Sequence, residues 1–156
     1  MNLPTDLIAH PDAAVPELRA GNGEDAIREL HARLCAATPA VTDPKKLLEA
    51  LLERLRLTSV GIAPDVALPH ARTDSVERMV LAIGRAPGGI AFDPQHPRVQ
   101  LVFLIGTPRD QIGEYLRTVA ALARLLKTAG VKAALLSAST EDELRAPLER
   151  TMKAGQ

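Results

Sequence analysis

Aromatic residues are almost missing from this chain: its 156 residues include no Trp, one Tyr and two Phe. Leu, Val, Ile and Ala must therefore fill the interior, and the platforms on which single-stranded nucleic acids stack their bases are lacking. A surplus of charge is missing too. Nineteen Lys and Arg balance nineteen Asp and Glu, so no overall basic field draws in a phosphate backbone. Both absences argue against a nucleic-acid partner. The lone Cys35 has no second thiol to pair with and falls in an apolar helical pattern, which reads as a small buried hydrophobe in a reducing, cytoplasmic setting. No run of about 18 apolar residues occurs, and prolines and acids interrupt the first twenty positions where a signal peptide needs a continuous apolar core. The expectation is a soluble protein, at most peripheral to a membrane. Of the four histidines no two stand at i, i+4 on a helix or beside a second cysteine, so no metal is expected. Glycine-rich phosphate loops with their lysine and the G-x-S-x-G elbow are absent as well, and no cofactor is expected.

What is present is enough for one domain over residues 1–156, with residues 1–14 as a loosely ordered lead-in and a short strand around Ala14 to Leu18. A domain of this size buries roughly 70% of its unfolded surface, so its core can be self-sufficient. Ile27, Leu30, Leu34 and Cys35 recur at helical steps and predict a helix over about 23–37, closed by Thr38-Pro39. Asp43-Pro44 opens a second helix, with Leu47, Leu48, Leu51, Leu52 and Leu55 as its stripe.

Beyond Leu57 the pattern turns to short apolar runs. Val66 to Leu68 look extended, and residues 77–86 and 98–106 read as strands, the second apolar enough to be the covered centre of a sheet. Thr107-Pro108 is read as the cap of a helix whose stripe is Ile112, Tyr115, Val119, Leu122 and Leu126, ending at Gly130. "VKAALLSAS" is read as a last strand, and Thr140 with Glu143 as the capping box of a closing helix that Pro147 should shorten or bend. Helices alternating with strands predict an α/β fold, a mixed β-sheet flanked by helices.

Among the histidines, His31 reads as a partly buried, hydrogen-bonded helix residue, and His10 and His96 as solvated in proline-rich loops. His70, in "DVALPHARTDS", is different. Leu68 before Pro69 is pushed toward extended geometry, so His70 sits at a strand end or just past it, where a rigid scaffold meets accessible surface. On pattern alone, a turn histidine and a reactive one both stay open.

The stretch "SVGIAPDVALPH", Ser59 to His70, resembles the phosphorylation motif of enzyme IIA domains of the bacterial phosphotransferase system, in the fructose and mannitol class that includes the nitrogen-regulatory IIA proteins. "ARTDSVERMVLAIGRAPGGIAFD", "VQLVFLIGTP", "YLRTVAALARLLK" and "LLSASTEDELRAPL" continue the likeness in order, from about residue 15 to near the end. The resemblance implies a IIA-type fold and a phosphoryl group accepted on His70 from a histidine phosphocarrier protein, in a regulatory, nitrogen-type role. It implies as further partners a IIB domain, a transporter or a sensor kinase. Arg54 matches the arginine of the family's R-E element. Arg72, two residues beyond His70, shares its side if the chain is extended, and Thr58 and Ser59 carry hydroxyls that can donate. Tyr115 stands where many members have a second histidine.

The chain also departs from the family pattern. Leu55 replaces the glutamate of R-E, Val60 the threonine of S-T, and Asp65 a glycine of the motif. Two readings follow. One is a phosphocarrier acting through His70, supported by Arg54, Arg72, Ser59 and Tyr115; the other is a IIA-like regulatory binding module that no longer takes phosphate.

Overall fold

The structure, a computed structural model, describes residues 10–154. Its elements do not alternate as the sequence predicts but come in blocks, in the order β1 (Ala13–Val15), α1 (Gly23–Ala37), α2 (Pro44–Leu57), β2 (Gly61–Ala63), β3 (Val66–Ala67), β4 (His70–Arg72), β5 (Val80–Ile90), β6 (Val99–Thr107), α3 (Ile112–Lys127), α4 (Val131–Leu136) and α5 (Glu141–Ala154). Six strands form one sheet in the order β1-β5-β6-β3-β2, with β4 also paired to β6. The sheet is mixed: β3 and β4 run parallel to β6, and β5 runs antiparallel to it.

The two long strands account for both layers. Side chains alternate across a strand, so Val80, Ala82, Val102 and Leu104 face α1 and α2, meeting Ile27, Leu30, Leu34, Leu47 and Leu51. Leu81, Ile83, Leu101, Phe103 and Ile105 face the other way, onto Leu122, Leu125, Leu135, Leu144 and Leu148 of α3, α4 and α5. Each fully buried side chain of this kind contributes about 1.5–3 kcal/mol relative to exposure. Covered on both faces, β6 is nearly all apolar, as its sequence predicts. α1 begins where Asn22 accepts from the Asp25 amide, and α2 where Asp43 accepts from the Lys46 amide with Pro44 in the first turn.

Several expectations need correction. "VKAALLSAS" is no strand: Gly130, at φ 83°, turns the chain into the short helix α4, of which only Leu135 is buried. Thr107 does not cap a helix. It ends β6, and Pro108 accepts from the Gln111 amide in a turn that delays α3 until Ile112. The face of α3 that is fully buried is Thr118, Ala121, Leu122 and Leu125, leaving Ile112 exposed and Tyr115, Val119 and Leu126 at the margin.

Pro147 does not shorten α5, which runs on to Ala154. The roughly 3 kcal/mol cost of an interior proline is offset by Leu144 and Leu148, both 0% exposed. Thr140 does cap this helix by accepting from the Glu143 amide, but the Glu143 carboxylate reaches back to Ser139. Nor is His96 solvated: its side chain is 16% exposed and bonded to Asp93. Residues 1–9 of the expected lead-in lie outside the described residues, and Ala13 and Ala14 already pair with β5.

Candidate functional site

Leu68 and Pro69 bring the chain from β3 into β4, and the Ile105 amide donates to the Pro69 carbonyl. His70 is thereby the first residue of β4, opposite Ile105 in the parallel register with β6. Ala71 is buried, while His70 and Arg72 project from the other side, as the period of two requires. The site lies at the carboxyl end of β6, where sheets of this kind present ligand crevices.

Two contacts define the imidazole. Its Nδ1 lies 3.1 Å from the Leu68 carbonyl oxygen. A carbonyl only accepts, so Nδ1 carries the proton and donates. Nε2 is then the free lone pair, and it faces the Arg54 guanidinium, with Nε and Nη2 each 3.3 Å away. Burial lowers the pKa of His70 below its ordinary 6.5; the Leu68 hydrogen bond opposes this, and the charges of Arg54 and Arg72 add to it. The ring is therefore neutral, with a fixed tautomer, around neutral pH.

A shallow pocket of about 240 Å³ opens in front of Nε2, lined by Glu53, Arg54 and Leu57 of α2, His70 and Arg72 of β4, and Arg109 from the turn after β6. Among the described residues, none of the three arginines is held in an ion pair. Three guanidiniums outside any ion pair, with Glu53 as the carboxylate in the lining and Asp74 in the field of Arg109, leave a net positive surround for one unprotonated imidazole nitrogen, which suits a dianionic group. Tyr115 completes it from α3. Its ring centroid lies 4.9 Å from that of His70 at a tilt of 31°, and burial raises its pKa against the opposing charges of Arg54 and Arg72, so the phenol keeps its proton.

His70, Arg54, Arg72 and Tyr115 are thus brought together. Ser59 is not: its hydroxyl donates to Asp93 Oδ2 at 2.8 Å, away from the pocket. Thr58 serves as the C-cap residue of α2. Asp65 pairs with Lys132 of α4 at 2.7 Å and contributes nothing to the wall around His70. Leu55 packs against the core, and Val60 is buried in it. Arg109 was not singled out from sequence. Its signal is positional, a cation just past the carboxyl end of the central strand.

The family model described as "Phosphoenolpyruvate-dependent sugar phosphotransferase system, EIIA 2" matches residues 8–151. The nitrogen regulatory protein of Bradyrhizobium diazoefficiens is 32% identical over 124 residues, 79% of each chain. The crystal structure of the nitrogen regulatory protein IIA-Ntr from Neisseria meningitidis superposes with a TM-score of 0.77 over 92% of this chain and 97% of its own, at 24% identity. At 19% identity and a TM-score of 0.74, the fold is also that of enzyme IIAMTL in its complex with phosphorylated enzyme IIBMTL from Escherichia coli, over 89% of this chain and 95% of that one. Among the described residues no helix is long and apolar enough to cross a membrane.

Proposed function

The chain belongs to the EIIA 2 family of the phosphoenolpyruvate-dependent sugar phosphotransferase system, and we propose that His70 accepts a phosphoryl group on Nε2 from a histidine phosphocarrier protein, in a regulatory role like that named for its nitrogen-regulatory relatives. The observation that carries the proposal is the pair of contacts on one ring: Nδ1–H held by the Leu68 carbonyl, Nε2 left open toward Arg54.

In this reading Nε2 attacks the phosphorus of the donor's phosphohistidine. The new N–P bond forms as the donor's N–P bond breaks, and the electron pair of the broken bond returns to the donor's ring nitrogen. The Nδ1 proton stays on His70, where the Leu68 carbonyl steadies the positive charge that the ring acquires. Arg54 swings from the lone pair to the phosphoryl oxygens, and Arg72 stands ready to meet them from the side. Such transfer asks mainly for position and charge. The phenol of Tyr115 offers a hydrogen bond without adding charge.

Docking has a surface to use. Leu57 at the pocket rim is 72% exposed, and Ile112 and Leu116, on either side of Tyr115 in α3, are 40% and 58% exposed. Apolar side chains around a charged centre suit a transient partner that must present and withdraw a phosphorylated histidine. The second reading, a binding module without phosphoryl transfer, is favoured by Tyr115, whose ring covers one side of His70.

The test is incubation with phosphoenolpyruvate, enzyme I and the histidine carrier, followed by intact mass spectrometry. One acid-labile phosphoryl group, absent in His70→Ala, is the expected result. An unmodified protein beside a IIA control that is modified overturns the proposal in favour of the binding module.

A further inference from the structure

Phosphoryl acceptance on Nε2 requires that His70 keep its proton on Nδ1; Arg54, which can only donate, keeps a proton off Nε2, and among the described residues the Leu68 carbonyl is the acceptor that holds it on Nδ1. What fixes Leu68 is therefore part of the machinery. On its carboxyl side, Pro69 is tied to β6 through Ile105. On its amino side, the Leu68 amide donates to the Val60 carbonyl at 2.7 Å. Val60 precedes β2, which among the described residues is the last strand of the sheet, with β3 on one side, no strand on the other, and an irregular register. An edge of three residues is a weak anchor.

The turn between β5 and β6 supplies the missing support. Asp93 takes the Ser59 hydroxyl on Oδ2 and the His96 Nδ1–H on Oδ1, both at 2.8 Å. These bonds, His96 foremost, hold the Asp93 carboxyl below its ordinary pKa. The His96 ring lies flat against Gly61, so closely that a Cβ there would collide with its atoms. Residues 59 and 61, on either side of Val60, are thus gripped by one turn. That turn is itself closed by the Phe92 amide to the His96 carbonyl and joined to the start of α1 by the Gly23 amide to the Ala91 carbonyl, each at 3.0 Å.

We infer that Ser59, Asp93 and His96 form a clamp that positions the Val60 and Leu68 backbone and so sets the tautomer of His70. They are positioning residues, none of which touches the reacting atoms. The clamp gives Ser59 a role other than phosphoryl binding, explains why position 61 is glycine, and accounts for the burial of His96. The inference concerns the site proposed above, but it is measured on the unphosphorylated protein and stands apart from whether transfer occurs.

The measurement is ring-nitrogen NMR of His70 in the full chain near neutral pH. In the parent protein the Nδ1–H form should dominate. In His96→Ala and in Ser59→Ala the ratio of Nδ1–H to Nε2–H should fall about tenfold, the scale of one hydrogen bond lost. Ser59→Thr, which keeps the hydroxyl, should restore it. Lys132→Ala removes the Asp65 ion pair at the same sheet edge and serves as a matched control for loosening without loss of the clamp. An unchanged ratio in both His96→Ala and Ser59→Ala overturns the inference, as does an equal fall in Lys132→Ala. Should the parent protein show the Nδ1–H form, and the two variants lose it, while the parent fails to become phosphorylated, the transfer reading falls and the clamp survives.

Discussion

The Tyr115 ring leans over the His70 ring at 4.9 Å, centroid to centroid, with 31° between their planes. Its phenol remains protonated because burial raises its pKa, so the one thing it can add to a phosphoryl group is a neutral hydrogen bond. Such a bond is worth about 0.5–1.5 kcal/mol net, or roughly three- to tenfold in rate. Tyr115→Phe, which keeps the ring contact, is expected to slow adduct formation by that factor in a timed mass-spectrometric assay. Equal rates for Tyr115→Phe and the parent protein would reduce Tyr115 to packing.

The arginines should not act equally. Arg54 holds Nε2 directly, and loss of a charge-assisted bond costs about 1.5–3 kcal/mol. Arg54→Ala is therefore expected to cut the phosphorylation rate by about ten- to a hundredfold, with partial recovery in Arg54→Lys. Arg109 lines the outer wall and is exposed, and exposed charges are screened within about 10 Å at 0.1 M salt. Arg109→Ala should lose about threefold in dilute buffer and about nothing in 1 M salt, where the screening length is about 3 Å.

Much of this was legible from residues in a row. The first helix was readable because Ile27, Leu30 and Leu34 keep helical spacing, and β6 because a nearly all-apolar stretch, unbroken from Leu101 to Ile105, suits a strand covered on both faces. Short apolar runs carry less. "VKAALL" contains nothing that distinguishes a strand from a six-residue helix, and only the turn at Gly130 and the burial of Leu135 between α3 and α5 decide it. At the site, the pairing of His70 with Arg72 follows from strand alternation. The grip of Asp93 on Ser59 spans 34 positions and leaves no local trace, and neither does the diversion of Asp65 to Lys132 across 67.

The pH dependence of transfer follows from the lowered pKa of His70. Protonation places a hydrogen on Nε2 and removes the nucleophile. With burial as the main cause and Arg54 and Arg72 assisting, the ring should stay neutral below its ordinary 6.5, so the rate should hold level through that pH and fall only in more acidic solution. Arg72→Gln removes one of the assisting charges without touching the ring's hydrogen bonds and should move the midpoint upward. NMR titration of His70 in both proteins checks this; a midpoint at or above 6.5 in the parent contradicts it.

Stability should depend on pH through a second histidine as well. His31 on α1 donates from Nε2 to the Pro44 carbonyl at 2.7 Å, with the Cys35 sulfur 3.5 Å from the same nitrogen, and is 8% exposed. Burial lowers its pKa more than that bond raises it. In the unfolded chain the ring takes up a proton near the ordinary 6.5, whereas in the folded protein it does so only at lower pH. Between those two points the unfolded state binds more protons, so unfolding free energy rises with pH there and is lost as pH falls through the window. His70 contributes in the same direction. Carboxylates add little above about pH 5, because Asp and Glu titrate near 4 in unfolded chains. The melting temperature of the parent protein is thus expected to drop between pH 7 and about pH 5. His31→Gln, although less stable throughout by roughly 1–3 kcal/mol for the altered buried polar group, should show a smaller drop over the same interval. A drop of equal size in the variant would mean that His31 is not a source of the pH dependence.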